Sequence, residues 1–137
     1  MTYNVKDNEN TLYAVHLLSS SSSLSSGDAV PYAISTGTSG HGITVSSGVI
    51  TLSKGDWLIS FTAESQSASA YTADIYIDGS IDNTFPQIKN NNSTTVSNLE
   101  TTAIPILSDG TTTIEMRVNS AVSISDNSDC LIYGFKL

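Results

Sequence analysis

Short runs of strict two-residue alternation, each closed by a turn signal, constrain this chain most. In "WLISFTAES", Trp57, Ile59, Phe61 and Ala63 fall on one side of an extended strand, and Ser60, Thr62 and Glu64 on the other. "YTADIYIDGS" repeats the pattern, with Tyr71, Ala73, Ile75 and Ile77 opposed to Thr72, Asp74, Tyr76 and Asp78, and Asp78-Gly79 closes it as a hairpin turn. "TTTIEMRVNS" sets Thr112, Ile114, Met116 and Val118 against Thr113, Glu115, Arg117 and Asn119. No window carries a helical repeat over the length a helix needs. About eight short strands with closely spaced turns predict an antiparallel sandwich or barrel. The predicted core is Trp57, Ile59, Phe61, Ile75, Ile77, Ile114, Met116 and Val118.

Between these runs the punctuation is regular. "ITVSSGVITLSKGD" reads as two strands around Ser46, Ser47 and Gly48, followed by a turn at Lys54, Gly55 and Asp56. "VPYAIS" is extended, because Pro31 blocks a helix. A strand is expected around Ala103 to Leu107, and Pro105 pushes it to a sheet edge or a bulge. "NTFPQIKNNNSTT" reads as loop, and no internal repeat is visible.

The last strand, "CLIYGFKL", is apolar on both sides. Leu131, Tyr133, Phe135 and Leu137 share one face, and Cys130, Ile132 and Gly134 the other. A strand exposed like that invites aggregation, so both faces need cover.

The start of the chain differs. "SSSSSLSSGD" reads as a flexible joint between an N-terminal arm and the body, dividing the chain into an arm and linker over 1–27 and a domain over 28–137. The apolar residues of the arm are Tyr3, Val5, Leu12, Tyr13, Val15, Leu17 and Leu18. Such an arm either grips another protein or packs back on its own body.

With 137 residues the chain is one domain by size. Only 13% of residues are charged while 39% are hydrophobic, so Ser, Thr and Asn make up the polar surface. The net charge of −8 repels nucleic-acid phosphates and anionic lipid, so neither nucleic acid nor membrane is expected as a partner. The single Cys130 excludes an intrachain disulfide. No basic start with an apolar run opens the chain, and no apolar stretch reaches the ~20 residues of a bilayer span. The expectation is a protein made in the cytoplasm.

Catalytic and metal chemistry find little support. His41 lies in the Gly-flanked "SGHGIT" with no nucleophile elbow nearby, and His16 lies in the arm. One Cys and two distant His do not make a zinc site. Asp78, Asp82, Asp126 and Asp129 offer hard oxygens but lack EF-hand spacing, and Asp is an ordinary turn residue. No cofactor is expected, and no enzymatic activity. Trp57 and Tyr71 read as core rather than as a sugar platform.

The order of three pieces resembles the tumour-necrosis-factor-like jelly roll, in the branch that includes the globular heads of collagenous complement proteins. They are "GVITLSKGDWLISF" with Gly55, Trp57 and Phe61, "IPILSDGTTTIEMRV", and the closing Gly134, Phe135, Lys136 and Leu137. No collagen-like repeat precedes them. The resemblance implies an all-β antiparallel jelly-roll β-sandwich whose last strand lies in an inner sheet facing the threefold axis of a homotrimer. Leu131, Tyr133, Phe135 and Leu137 then belong to an interface or core strand; the alternative is a monomeric sandwich that covers them itself.

Similar folds serve as bacteriophage capsid decoration or head-fibre proteins. The functional expectation is therefore a non-enzymatic virion protein, a cement trimer attached to a capsid protein by its arm. The alternative is a receptor- or glycan-binding tip of a tail fibre or adhesin. Its ligand positions would be His41 in "STGTSGHG", Asn91 and Asn92 in "TFPQIKNNNST", and the outward Tyr76.

Overall fold

The computed structural model describes residues 11–17, 22–34, 43–65, 71–84, 88–90, 98–100, 103–125 and 129–135. These residues form strands and turns, with no helix among them. In chain order the strands are β1 (Thr11–Leu17), β2 (Ser22–Leu24), β3 (Tyr32–Ile34), β4 (Thr44–Ser46), β5 (Val49–Thr51), β6 (Gly55–Glu64) and β7 (Tyr71–Ile77). Then follow β8 (Ser80–Ile81), β9 (Ile88–Asn90), β10 (Asn98–Glu100), β11 (Ile104–Ser108), β12 (Thr113–Val118), β13 (Val122–Ile124) and β14 (Asp129–Phe135).

Two antiparallel sheets carry the fold. The first runs β3–β1–β14–β6, and the far edge of β6 is shared by β11 along Gly55–Ile59 and β10 along Thr62–Glu64. The second runs β4–β5–β12–β7, with β9 and β8 sharing the far edge of β7. Between the sheets lies one core. Val30, Ile50, Leu52, Ile59, Phe61, Ala63, Ala73, Ile114, Met116, Val118 and Ile124 are fully shielded from solvent, with Trp57 and Ile75 close behind and Ile77 packed at the margin. The alternation of β6 and β7 produces this directly, since each second side chain enters the core.

Several buried polar atoms at this core have partners, while the Ser53 hydroxyl is buried without one among the described residues. The Trp57 indole Nε1–H donates to the Ser53 carbonyl at 2.8 Å. Two tyrosines reach adjacent carbonyls of β6: Tyr32 donates to Thr62 at 2.6 Å and Tyr71 to Ala63 at 2.9 Å. Tyr71 comes from the opposite sheet, so its hydroxyl ties the two layers together.

Two hairpins turn on left-handed pairs. Ser47 and Gly48 have φ of 50° and 81°, and Asp78 and Gly79 have 51° and 76°. Positive φ at both central residues is the mirror-image turn that matches strand twist. A Cβ on Gly48 would run into the Val30 carbonyl, whereas one on Gly79 would meet open space.

The N-terminal region departs from the expected arm and linker. Leu12, Tyr13, Val15 and Leu17 lie in β1, which is hydrogen-bonded to β14 on one side and β3 on the other. A strand bonded on both edges is part of the body. The Ser-rich joint is likewise stitched down: β2 pairs with β13, Ala29 bridges Arg117, and the Gly27 and Val30 N–H groups donate to Val118 and Met116 carbonyls. Serine hydroxyls do not hinder backbone pairing, and Ser26 adds its own bond to the Asn119 carbonyl. The expected boundary at 27/28 thus falls inside a strap, residues 22–34, that crosses from the second sheet to the first. Tyr3, Val5 and Leu18 lie outside the described residues. Within the expected loop 83–95, Ile88–Asn90 forms β9 instead, because the exposed backbone of Tyr71–Ala73 takes a partner there. Pro105 sits on β11, which bonds β6 on one side, as its missing N–H favours.

Candidate functional site

The side chains of β6 that turn away from the core are half-buried Asp56, Leu58, Ser60, Thr62 and Glu64. Leu58 is the apolar exception among them. Residues directly opposed across antiparallel strands share a sheet face. Leu58 is opposed to Pro105 on one side and Tyr133 on the other, and Tyr133 in turn to Leu12. An apolar row therefore crosses four strands on the outward face of the first sheet, spanning about 14 Å at the usual strand spacing. Beside it, Asp56 is opposed to Leu107 and Phe135, and Ser60 to Leu131, which pairs with Ala14. Leu107 is 78% exposed, the most exposed large hydrophobic side chain described.

Leu131, Tyr133 and Phe135 thus occupy outward register positions, while Cys130, Ile132 and Gly134 pair with the core residues Phe61, Ile59 and Trp57. Leu137 lies outside the described residues. Leu58, Pro105 and Leu107 were not predicted for this face. The signal was in "WLI", where an apolar residue stands on the polar side of the alternation.

The outward face of the second sheet is different in kind. Tyr76 is opposed to Glu115 and Asp74 to Arg117. Arg117 forms an ion pair with Glu115, whose residue is only 5% exposed, and its guanidinium lies 4.3 Å from the Tyr76 ring centroid. The Glu115 hydrogen bond pushes Arg117 above its usual pKa. Asn119 donates to Asp74 at 2.8 Å and to Thr72 at 3.2 Å. One face of the Tyr76 ring is therefore taken by Arg117 rather than open to a sugar.

The other sequence candidates are dispersed or engaged. Trp57 and Tyr71 are core residues at 4% and 2% exposure. Burial, and secondarily Glu64, push the Tyr71 hydroxyl up to about 12. Asp78 accepts from the Thr113 N–H and Asp82 from the Thr84 N–H. Asp109 caps its turn, and bonds from the Thr111 N–H and hydroxyl hold its carboxyl below the usual value. No group of three metal-ligating side chains occurs among the described residues. His41, Asn91 and Asn92 lie outside them.

No family model and no curated protein matches the sequence. Solved structures do. Murine APRIL at pH 8.5 superposes with a TM-score of 0.69 at 10% identity, over 91% of this chain and all of that one. An Eiger TNF from S. frugiperda gives a TM-score of 0.71 at 10% identity, over 90% of this chain and 91% of that one. The fold is a tumour-necrosis-factor-like jelly roll. At this identity the likeness concerns architecture alone.

Proposed function

We propose that the chain is a non-enzymatic structural protein that assembles as a homotrimer through the outward face of its first sheet and cements a larger particle, a virus capsid. The observation that carries this reading is the row Pro105, Leu58, Tyr133 and Leu12, flanked by the exposed Leu107. Where exposure on that face is described, Pro105 and Leu107 are exposed and Leu58 is half-buried. A contiguous apolar patch on one side of a soluble domain marks a binding surface. Closed cyclic symmetry lets identical chains bury such a patch without open-ended growth. The tumour-necrosis-factor-like resemblance implies the same face and a threefold axis.

Cementing follows from mass action: a trimer that binds only the assembled shell stabilises it. Attachment through Leu12, Tyr13, Val15 and Leu17 is not part of the proposal, because these residues belong to β1.

Light scattering after size exclusion tests the assembly. The expected native mass is about three times the 14.4 kDa chain. A monomer at micromolar concentration would contradict the reading. Immunogold labelling of particles from cells that make the chain tests the location. Label on shells is expected, and label confined to the surrounding cytosol would contradict the capsid role.

A further inference from the structure

The two sheets end side by side at β3 and β4, the outer strands of the first and second sheets. Along this side of the sandwich runs a groove of about 610 Å³, lined by Leu24, Ala29, Pro31 and Tyr32 of the strap and by Val45 of β4, with Asp28 at its rim. The volume lies in the range of ligand-binding clefts, which span roughly 300–1,000 Å³.

Val45 is the informative residue. It is opposed to Ile50, which is fully buried, so it shares the core-facing side of the second sheet. Yet it is only half-buried: it is a core position that lacks cover. Its backbone is also unpaired on the far side, since β4 bonds β5 and no other strand among the described residues. In a two-residue hairpin the residues flanking the turn, here Ser46 and Val49, exchange both hydrogen bonds. Thr44 and Thr51 repeat that pattern, so the Val45 N–H and C=O point to the free edge. An apolar hollow beside a strand edge that no described strand pairs is the combination that receives an added strand.

Charge narrows the occupant. Asp28 accepts one bond, from the Ser25 N–H at 2.8 Å, and its side chain makes no other among the described residues. The chain as a whole carries −8. A basic side chain is the complement of that rim.

We propose that this groove binds an extended segment of a partner protein, which adds as a strand along β4, sets alternate apolar side chains into the hollow and places a lysine or arginine beside Asp28. The proposal is independent of the trimer, because the strap and the inner side of β4 are not part of the apolar row on the first sheet.

The test is NMR titration of the isotope-labelled full chain with acetyl-Lys-Val-Thr-Val-Thr-Val-amide and with its glutamate-first counterpart. Saturable shifts are expected at the amides of Leu24, Ala29 and Val45. The lysine peptide should bind about twofold to fivefold more tightly, the range of an exposed ion pair. Asp28→Asn keeps an acceptor for Ser25 and should erase that preference while binding persists. Absence of saturable shifts, shifts centred on Leu58 and Leu107, or equal affinity for both peptides would overturn the proposal. So would pentylammonium binding as tightly as the lysine peptide, since that would make the groove a small-molecule site.

Discussion

On the first sheet, the residues turned away from the core include Leu58, Pro105 and the 78% exposed Leu107. On the second, the equivalent positions hold Thr72, Asp74, Tyr76, Glu115, Arg117 and Asn119, joined by an ion pair, a cation–π contact and amide hydrogen bonds. Both sheets are antiparallel, both alternate, and both enclose the same core. The inward residues of either sheet state only that a sandwich forms. The outward residues distinguish the sheets: a polar ladder paired within its own chain on the second, an apolar row in register on the first. A ladder satisfied within its own chain has little left to offer a partner, whereas an apolar row gains by being covered, at about 25 cal/mol per Å².

The core common to both faces should dominate stability. Phe61→Ala removes a fully buried ring and is expected to lose about 3–5 kcal/mol, read by urea unfolding. Retention of near-normal stability would mean that the two sheets are not packed as described.

Next come the substitutions that separate the faces. Leu107→Glu should leave the single chain within about 0.5 kcal/mol of normal, as exposed substitutions do, while converting the trimer to monomer in light scattering. Leu58→Glu, at the centre of the row, should have the same effect on mass. An unchanged trimer in both variants would remove the first sheet from the interface.

Arg117→Ala acts on the other face. It deprives the buried Glu115 of its partner and is expected to lose about 1–3 kcal/mol with no change in native mass. Combining it with Glu115→Gln should recover part of that loss. A fall in mass would show that the polar ladder also serves assembly.

The smallest effect belongs to the bond joining the layers. Tyr71→Phe should lose about 1 kcal/mol. The raised Tyr71 value has a defined pH consequence. Its folded pKa of about 12 lies above the ordinary 10, so the neutral hydroxyl is favoured by folding. That contribution is complete below pH 10 and is lost as the pH rises from 10 through about 12. Melting temperatures measured between pH 9 and 12 should fall less steeply for Tyr71→Phe than for the natural chain.

The long strands were legible because burial imposes a period of two. β6, β7 and β12 follow from Trp57 to Ala63, Tyr71 to Ile77 and Ile114 to Val118. The tumour-necrosis-factor-like order was legible from the same runs together with the closing Gly134 and Phe135. The short strands were not. "IKN" and "NLE" carry no period of their own, and β9 and β10 form because the edges of β7 and β6 accept them. Likewise "SSL" is a strand because β13 lies beside it. Which of the two fates of the arm holds was not legible for a related reason: "TLYAVHL" has apolar residues on both faces, and only its pairing between β14 and β3 places it in the body. Of the candidate site, the sequence showed Leu131, Tyr133 and Phe135, but register alone brings Leu12, Leu58 and Pro105 to the same face.

Hydroxyl-radical footprinting at micromolar concentration compares two exposed apolar side chains directly. Leu107 on the first sheet is 78% exposed in the single chain and Ile81 on the second is 43% exposed. If the first sheet meets other copies of the chain and the second meets water, Leu107 will be protected and Ile81 will react freely. Leu107 reacting faster than Ile81, in the order of their single-chain exposures, would contradict the assignment of the first sheet to assembly.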